Sequence, residues 1–393
     1  MRTAAAALAL ALWAPLAGAQ ERPRVRDFGV EIGALPPGPL NAITDVAGVL
    51  VGHATLIEGD SIRTGVTAVR PHPGDLFAEK VPAAIHVANG FGKLAGISQV
   101  DELGTIETPI VLTNTLAVGR AADAVVRWTL ERTASTGVRS VNPVVGETND
   151  AGLNAITVPR VGREEVVAAI DGAAGGPVVE GSVGAGTGTR ALGFKGGIGT
   201  ASRRVRIGGE VYTLGVLVQS NFGGALEIRG VPVGRALGAA GFLDAWSPAA
   251  APVDAPPAAP SGADRDGSIM IVVATDAPVD AHGLGRIARR APYAIGRVGG
   301  FSSHGSGDYV IAFSTAEGLR VPYGGGAAPV ERAALQGSAL DPLFLAVVEA
   351  TEEAILNSLF RATAVAGRRE TVEALPLDRV RELLWEGGAG RNR

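Results

Sequence analysis

The sequence predicts an α/β fold in which layers of strands and helices pack on one another. Three observations lead there. Short β-branched and apolar runs bounded by turn residues occur in both halves of the chain, segments of helical period follow them, and residues 268–275, SIMIVVAT, form a continuous apolar run. Such a run is what a central strand buried on both faces requires. With 56 glycines in 393 residues and only 5% aromatic residues, the chain is rich in turns and close backbone approaches and poor in large anchors.

In chain order, residues 1–19 come first: one positive charge at Arg2, an apolar run from Ala4 to Leu16, and Ala17 and Ala19 around Gly18. This is the pattern of a secretory signal peptide cut after Ala19, which predicts a periplasmic or secreted protein. The run is too short for a stable anchor, and no later stretch reaches the ~18 apolar residues of a membrane span. Residues 20–393 are expected to form a single domain. Strands are expected over 44–57, 64–69, 85–89, 109–113 and 212–218, and a helix over 116–133, where Leu116, Ala121, Val125, Trp128 and Leu130 approach helical spacing. Residues 247–266, SPAAAPVDAPPAAPSGADRD, hold five prolines and no aromatic residue, so they read as a linker. After the 268–275 strand come an expected helix over 281–298 and a strand over 309–315. A long helix over 341–364 should carry Leu345, Val348, Thr351, Ile355 and Leu359 on one stripe, and a short one 377–385.

Composition removes several classes of function. The net charge of −4, with both signs interspersed, leaves no footprint for nucleic acid or an anionic membrane, and the partner is expected to be a small molecule. Without cysteine there is neither a disulfide framework nor a thiol nucleophile. The five histidines, at 53, 72, 86, 282 and 304, show no H-E-x-x-H spacing, so no metal is expected. The G-x-G-x-x-A at 186–191 is followed by glycines at 193, 196, 197 and 199, so no helix can start where a dinucleotide phosphate would need one. Gly92-Lys93 is followed by Leu94 and makes no P-loop, and no G-x-S-x-G elbow is present. No cofactor is expected. The glycine-rich stretch reads instead as turns and strands packed closely against something else.

Gly267-Ser268 stands at the junction of the proline-rich segment and the apolar strand. A Gly-Ser pair is ordinary turn material, yet a serine opening a buried strand behind a permissive glycine is also where a backbone can be strained toward an N-to-O acyl shift. After cleavage the serine would carry its own α-amine, with an ordinary pKa of about 7.7–8.0, suited to a general base near neutrality. One residue would then supply nucleophile and base.

The run DGSIMIVVATDAP at 266–278, with GSGDYVIAFST at 305–315, resembles the family of self-processing serine peptidases that includes the L-aminopeptidase/D-esterase DmpA and the β-peptidyl aminopeptidases. TDVAGVLVGH (44–53), RTGVTAV (63–69), ELGTIETPIVLTNT (102–115), VVGETNDAGLN (144–154), GSVGAGTG (181–188) and VQSNFGG (218–224) match in the same order, over nearly the whole chain after residue 19. The resemblance implies a four-layer αββα sandwich like that of N-terminal-nucleophile hydrolases. It also implies cleavage between Gly267 and Ser268 into chains 20–267 and 268–393, and assembly into a homo-oligomer, a tetramer of processed heterodimers. It makes Ser268 the nucleophile, Ser306 a second serine that orients it, Asp308 the acidic residue beside Ser306, Asn221 an oxyanion donor, and Glu147 the carboxylate that pairs with a substrate's free amine. Small peptides and aminoacyl amides or esters are the implied substrates.

Two departures stand out. Family members often carry Glu where Asp308 stands, and some place a catalytic tyrosine in the segment matching 147–154, whereas no tyrosine lies between 70 and 211 here; Asn149 or a backbone amide is left to take its place. Read from the residues alone, Asn221 also fits a strand-end cap, Glu147 a turn, and residues 306–308 a tight turn. Two alternative functions remain open at this level. One is an acyltransferase like the ornithine acetyltransferases, which use threonine as nucleophile, and the other is a noncatalytic exported binding protein.

Overall fold

The computed structural model describes residues 22–240, 243, 267–325 and 330–386; the expected signal peptide and the proline-rich 247–266 lie outside them. The long strands of this region are β1 (Leu50–Glu58), β2 (Ile62–Arg70), β3 (Glu79–Gly90), β4 (Ile110–Asn114), β5 (Val144–Thr148), β6 (Gly197–Ile207), β7 (Glu210–Asn221), β8 (Ser268–Thr275) and β9 (Gly307–Ser314). The helices that matter here are α1 (Val118–Arg132), α2 (Arg163–Asp171), α3 (Ala281–Ala288), α4 (Tyr293–Arg297), α5 (Asp341–Arg361) and α6 (Leu377–Glu386).

One sheet runs β1-β2-β4-β5 and ends on the short strand Leu94–Ala95; the other runs β6-β7-β8-β9-β3, extended by Val321–Pro322. Most neighbours are antiparallel, but β4 and β5 are parallel, as are β8 and β9. Parallel neighbours need a helical crossover, and α1 supplies the first while α3 and α4 supply the second.

Alternation along each strand produces the layers. In β8, Ile269, Ile271 and Val273 point to a core shared with Leu284 and Ile287 of α3 and with Val347, Ile355 and Leu359 of α5. Met270, Val272 and Ala274 point the other way, into a core shared with Ile110, Leu112 and Val144 of the first sheet. The outer face of that first sheet, through Val66, Val111 and Val145, packs on Ala121, Val125 and Trp128 of α1 and on Val166 and Ile170 of α2. The order is therefore helix, sheet, sheet, helix: the αββα sandwich the resemblance implied. All eight residues of β8 are buried, which is why its sequence is apolar without interruption. Each large aliphatic side chain so buried contributes about 1.5–3 kcal/mol.

The structure departs from the expected elements in two instructive places. The helix expected over 281–298 is two helices, α3 and α4, separated by residues 289–292; Pro292 lacks the N–H that a continuous helix would use there. The long helix α5 is buried on nearly every side from Glu349 to Phe360 rather than along one stripe, while Leu345, expected on that stripe, is half exposed. Its outer face is covered by the N-terminal segment: Val25 N–H donates to Asn357 Oδ1 at 3.0 Å, and the Ala34 and Leu35 N–H groups donate to the Glu349 carboxylate at 2.9 and 3.0 Å. Its inner face lies so close to β6 that a Cβ on Gly199 would come within 2.0 Å of the Ala354 carbonyl oxygen.

Candidate active site

Three strand ends meet at one end of the second sheet. Ser268, the first residue of β8, pairs with Asn221, the last of β7, on one side and with Gly307, the first of β9, on the other. Ser268 is buried, and its Oγ donates to the Gly267 carbonyl oxygen at 2.7 Å. The same oxygen accepts the Gly307 N–H at 3.1 Å. Two donors therefore polarise the carbonyl that the Ser268 hydroxyl adjoins. A Cβ on Gly267 would lie 2.3 Å from the Asn221 carbonyl oxygen and 2.4 Å from Phe222 Cα, so only glycine fits. Gly267→Ala is expected to push this carbonyl out of register and leave most of the chain uncleaved, read as the fraction of full-length band on a denaturing gel.

Ser268 and Gly267 line a cavity of about 370 Å³ together with Glu147, Asn149 and Asn221. Glu147, at the end of β5, is buried, with Oε1 accepting the Lys93 N–H at 2.9 Å and Oε2 accepting the Thr115 hydroxyl. Burial pushes its carboxyl above the usual range, and the Thr115 and Lys93 contacts oppose that rise only in part. A buried carboxylate at a cavity wall is a ready partner for a desolvated cation. Asn221 is held from both ends: Oδ1 accepts the Arg190 N–H at 2.9 Å, and Nδ2 donates to the Asn149 carbonyl at 3.0 Å. Its second Nδ2 hydrogen remains for another acceptor. Asn149 itself is exposed and folds its side chain back, accepting the Ala151 N–H at 3.0 Å; its link to the site runs through its backbone carbonyl.

Ser306 and Asp308 do not line the cavity and make no hydrogen bond to Ser268. Both are buried, and Ser306 Oγ donates to Asp308 Oδ1 at 2.6 Å, so the shorter Asp side chain does reach the serine. Burial raises the Asp308 carboxyl, against the stabilising effect of Ser302, Ser306 and the Ile269 backbone. Gly307, between them, is the residue that meets Ser268: a Cβ on it would sit 3.3 Å from Ser268 Oγ.

Sequence reasoning did not find several neighbours. Thr115 and the Lys93 N–H, which fix Glu147, come from separate segments, and a backbone donor leaves no residue-type signal. Lys195, fully buried in the glycine-rich stretch, donates to the Gly186 and Gly196 carbonyls at 2.8 and 2.7 Å. Burial brings its pKa down to about 7 despite the attraction of Asp150, itself pushed up to about 7 by burial. Lys195 thereby holds the loop whose Gly188, Arg190, Leu192 and Gly193 form a wall of the cavity; the stretch that resembled a dinucleotide loop is a wall of the cavity. Tyr309 on β9 donates its hydroxyl to the Gly92 carbonyl at 2.7 Å and does not line the cavity. Among the described residues, no group of three or more His, Cys, Asp or Glu side chains could hold a metal ion. No helix of the described residues is long and apolar enough to cross a membrane.

Residues 41–373 match the model of peptidase family S58. A β-peptidyl aminopeptidase, BapA, of Sphingosinicella microcystinivorans is 42% identical over 383 residues, covering 94% of each chain. Among solved structures, the L-aminopeptidase D-Ala-esterase/amidase of Ochrobactrum anthropi, described as a prototype for the serine aminopeptidases and a variant of the Ntn hydrolase fold, superimposes with a TM-score of 0.83. It is 38% identical and covers 93% of this chain and 99% of its own. The PH0078 protein of Pyrococcus horikoshii gives the same TM-score at 43% identity, over 93% of this chain and 99% of that one. The three buried cores in the order helix, sheet, sheet, helix and the match over 41–373 agree: the chain belongs to peptidase family S58, and is a self-processing serine aminopeptidase with the N-terminal-nucleophile hydrolase fold.

Proposed function

We propose that the chain cleaves itself between Gly267 and Ser268 and then, through Ser268, releases N-terminal residues from small peptides, aminoacyl amides or esters. The observation that carries this reading is the pairing, in one cavity, of the Ser268 hydroxyl with a buried carboxylate, Glu147. In the precursor, Oγ attacks the Gly267 carbonyl carbon, the C–N bond breaks in an acyl shift, and water hydrolyses the resulting ester, leaving Ser268 with a free amine. In turnover, that amine takes the proton from Oγ as it attacks the substrate's acyl carbon. The leaving amine departs with a proton, and water resolves the acyl-enzyme.

Glu147 holds the substrate's ammonium and so limits the enzyme to free N-termini. The unused Nδ2 hydrogen of Asn221 faces the developing oxyanion. The Ser306–Asp308 pair acts from beneath the cavity by fixing the start of β9, whose Gly307 contacts Ser268. The acyl groups accepted include β-aminoacyl residues, a reading supported by the 42% identity to the Sphingosinicella β-peptidyl aminopeptidase. Export by way of residues 1–19 and assembly into a homo-oligomer belong to the same proposal.

The test is N-terminal sequencing of purified material that hydrolyses aminoacyl p-nitroanilides. A chain beginning Ser-Ile-Met-Ile is required, and active protein without it would overturn the mechanism. Glu147→Gln keeps the shape of the side chain and removes its charge, so kcat/KM should fall about 10²-fold, as for loss of one partner in a desolvated ion pair. The pH dependence has a definite sign. Burial raises the Glu147 carboxyl, so the ionised form that binds the ammonium is lost as pH falls through that raised value, and wild-type kcat/KM declines with it. In Glu147→Gln this contribution to the acid limb should vanish, and a limb of unchanged position would remove Glu147 from that role.

A further inference from the structure

The C-terminal residues form one side of the cavity by means of a hairpin, Val365–Ala366 paired with Thr371–Val372. Val365 and Val372 pack on Leu153, the Arg368 N–H donates to the Leu153 carbonyl at 3.1 Å, and the Lys195 N–H donates to the Glu373 carbonyl at 2.8 Å. The hairpin is thus pinned both to the segment that follows Glu147 and to the glycine-rich wall. Its turn brings Arg369 and Glu370 to the cavity.

The charged groups lining this cavity differ in how far they are already satisfied. Glu370 accepts the Arg190 guanidinium at 3.3 Å. Lys93 lies with its ammonium 5.7 Å from the centre of the Phe91 ring and acts electrostatically on Glu147. Arg369 is exposed and makes no hydrogen bond or ion pair among the described residues. Asn221 shows on which side it stands: Nδ2 binds the Asn149 carbonyl, on the segment that follows Glu147 and β5, and Oδ1 binds the backbone N–H of Arg190, whose side chain meets Glu370 of the hairpin. A substrate with its ammonium on Glu147 and its carbonyl at Ser268 therefore directs its leaving group toward Arg190 and the hairpin.

We propose that Arg369 binds the C-terminal carboxylate of the leaving residue, which makes dipeptides with a free carboxylate the preferred substrates of this enzyme. The inference rests on the assignment of Glu147 and Ser268 above. The ligand it calls for is a short zwitterion, with the scissile amide between an ammonium on Glu147 and a carboxylate on Arg369. A cavity of about 370 Å³ is near the small end of ligand sites and suits two residues better than a long chain. A guanidinium is well matched to a carboxylate, which it can grip with two parallel hydrogen bonds.

The experiment uses the processed enzyme and two pairs of substrates, alanyl-alanine and β-alanyl-alanine, each against its C-terminal amide. The readout is the ratio of kcat/KM for acid over amide. The wild type should favour the acid about tenfold, the effect of one partly exposed charge-assisted pair, chiefly through KM. In Arg369→Ala the ratio should fall toward one, in Arg369→Lys it should be partly restored, and in Arg369→Glu the amide should become the better substrate. No preference in the wild type, a ratio unmoved in Arg369→Ala and Arg369→Glu, or equal losses on acid and amide would each overturn the proposal. If the wild type hydrolyses neither member of either pair but still cleaves aminoacyl p-nitroanilides, this proposal alone falls; if it cleaves no aminoacyl substrate at all, the assignment of Ser268 falls and this proposal with it. An unmoved ratio beside active hydrolysis overturns this proposal alone.

Discussion

Ser268→Ala is expected to leave the chain whole and inactive. Both steps proposed for Ser268 use the same oxygen, so its loss should block maturation and turnover together. After removal of residues 1–19, the wild type should appear on a denaturing gel as fragments of 248 and 126 residues (20–267 and 268–393), and the variant as a single band of 374 residues. Hydrolysis of an aminoacyl p-nitroanilide should drop at least ~10⁴-fold, the scale of removing a serine nucleophile. Ser268→Cys retains a nucleophile of similar size and should still be cleaved, which separates the missing oxygen from a general disturbance of β8. Fragments of the same size in Ser268→Ala would show that another group, or another protein, cuts the chain. An uncleaved wild type would instead overturn the proposed cleavage between Gly267 and Ser268.

The largest stability effect is expected where α5 meets the N-terminal segment and β6. Arg203 is fully buried; its guanidinium contacts Glu349 at 3.2 Å and Glu353 at 2.7 Å and donates to the Ser202 and Ile32 carbonyls, both at 2.7 Å. Arg26 bonds Glu353 at 2.9 Å, and Asn41 Nδ2 donates to the same carboxylate at 2.5 Å. Burial by itself would raise the Glu353 carboxyl, but the Arg26 hydrogen bond and the Arg203 charge outweigh it and hold the group below its usual value. A carboxyl lowered on folding contributes stability that is complete above its unfolded pKa and lost as pH falls through the folded one. Acid should therefore loosen this junction.

Arg203→Met keeps the length of the side chain but strips Glu349 and Glu353 of a buried counter-charge. Breaking a buried pair in this way costs about 3–5 kcal/mol, with Arg26 left to soften the loss at Glu353. Arg163→Met is a suitable control, because the Arg163–Glu131 pair is about half exposed at both ends and such pairs contribute about 0–1 kcal/mol. The urea midpoint should move far more for Arg203→Met than for the control. Equal shifts would mean that the buried cluster contributes no more than a surface pair.

The parts of the fold that were legible in the chain are those where one residue's environment repeats along a strand or helix. SIMIVVAT reads as a central strand because both of its faces are buried, and burial on both faces leaves no polar position to interrupt the run. α1 reads as a helix because one of its faces is buried, through Ala121, Val125 and Trp128, although Leu116 and Leu130 of the expected spacing are about half exposed. α5 departs from the one-stripe pattern because the segment around Val25 to Leu35 folds over its outer face, some 315 residues away in sequence, and supplies partners for Glu349, Glu353 and Asn357. Polar residues then occupy the interior, where a periodic reading places only apolar ones.

The site divides in the same way. Ser268 stands out because a polar residue opens an otherwise apolar run next to glycine, whereas Ser306 and Asp308 read from the residues alone as a tight turn and were singled out only by the resemblance. Glu147 and Asn221 were reached through the resemblance, since a carboxylate before a turn and an asparagine at a strand end are common in loops. The Lys93 N–H, Thr115, Lys195 and Arg369 carried no local sign of a role.

The layered α/β class, the buried strand that Ser268 opens and the position of the candidate cleavage site can all be read from local patterns in the chain. That the ends of β7, β8 and β9 meet, that Gly307 and Ser268 both address the Gly267 carbonyl, and that the hairpin after α5 brings Arg369 to the cavity emerge from the packing of distant segments. The reason is physical: local patterns record which faces of an element are hidden from water, whereas the meeting of distant segments is set by strand register and layer packing, which no short stretch of residues encodes.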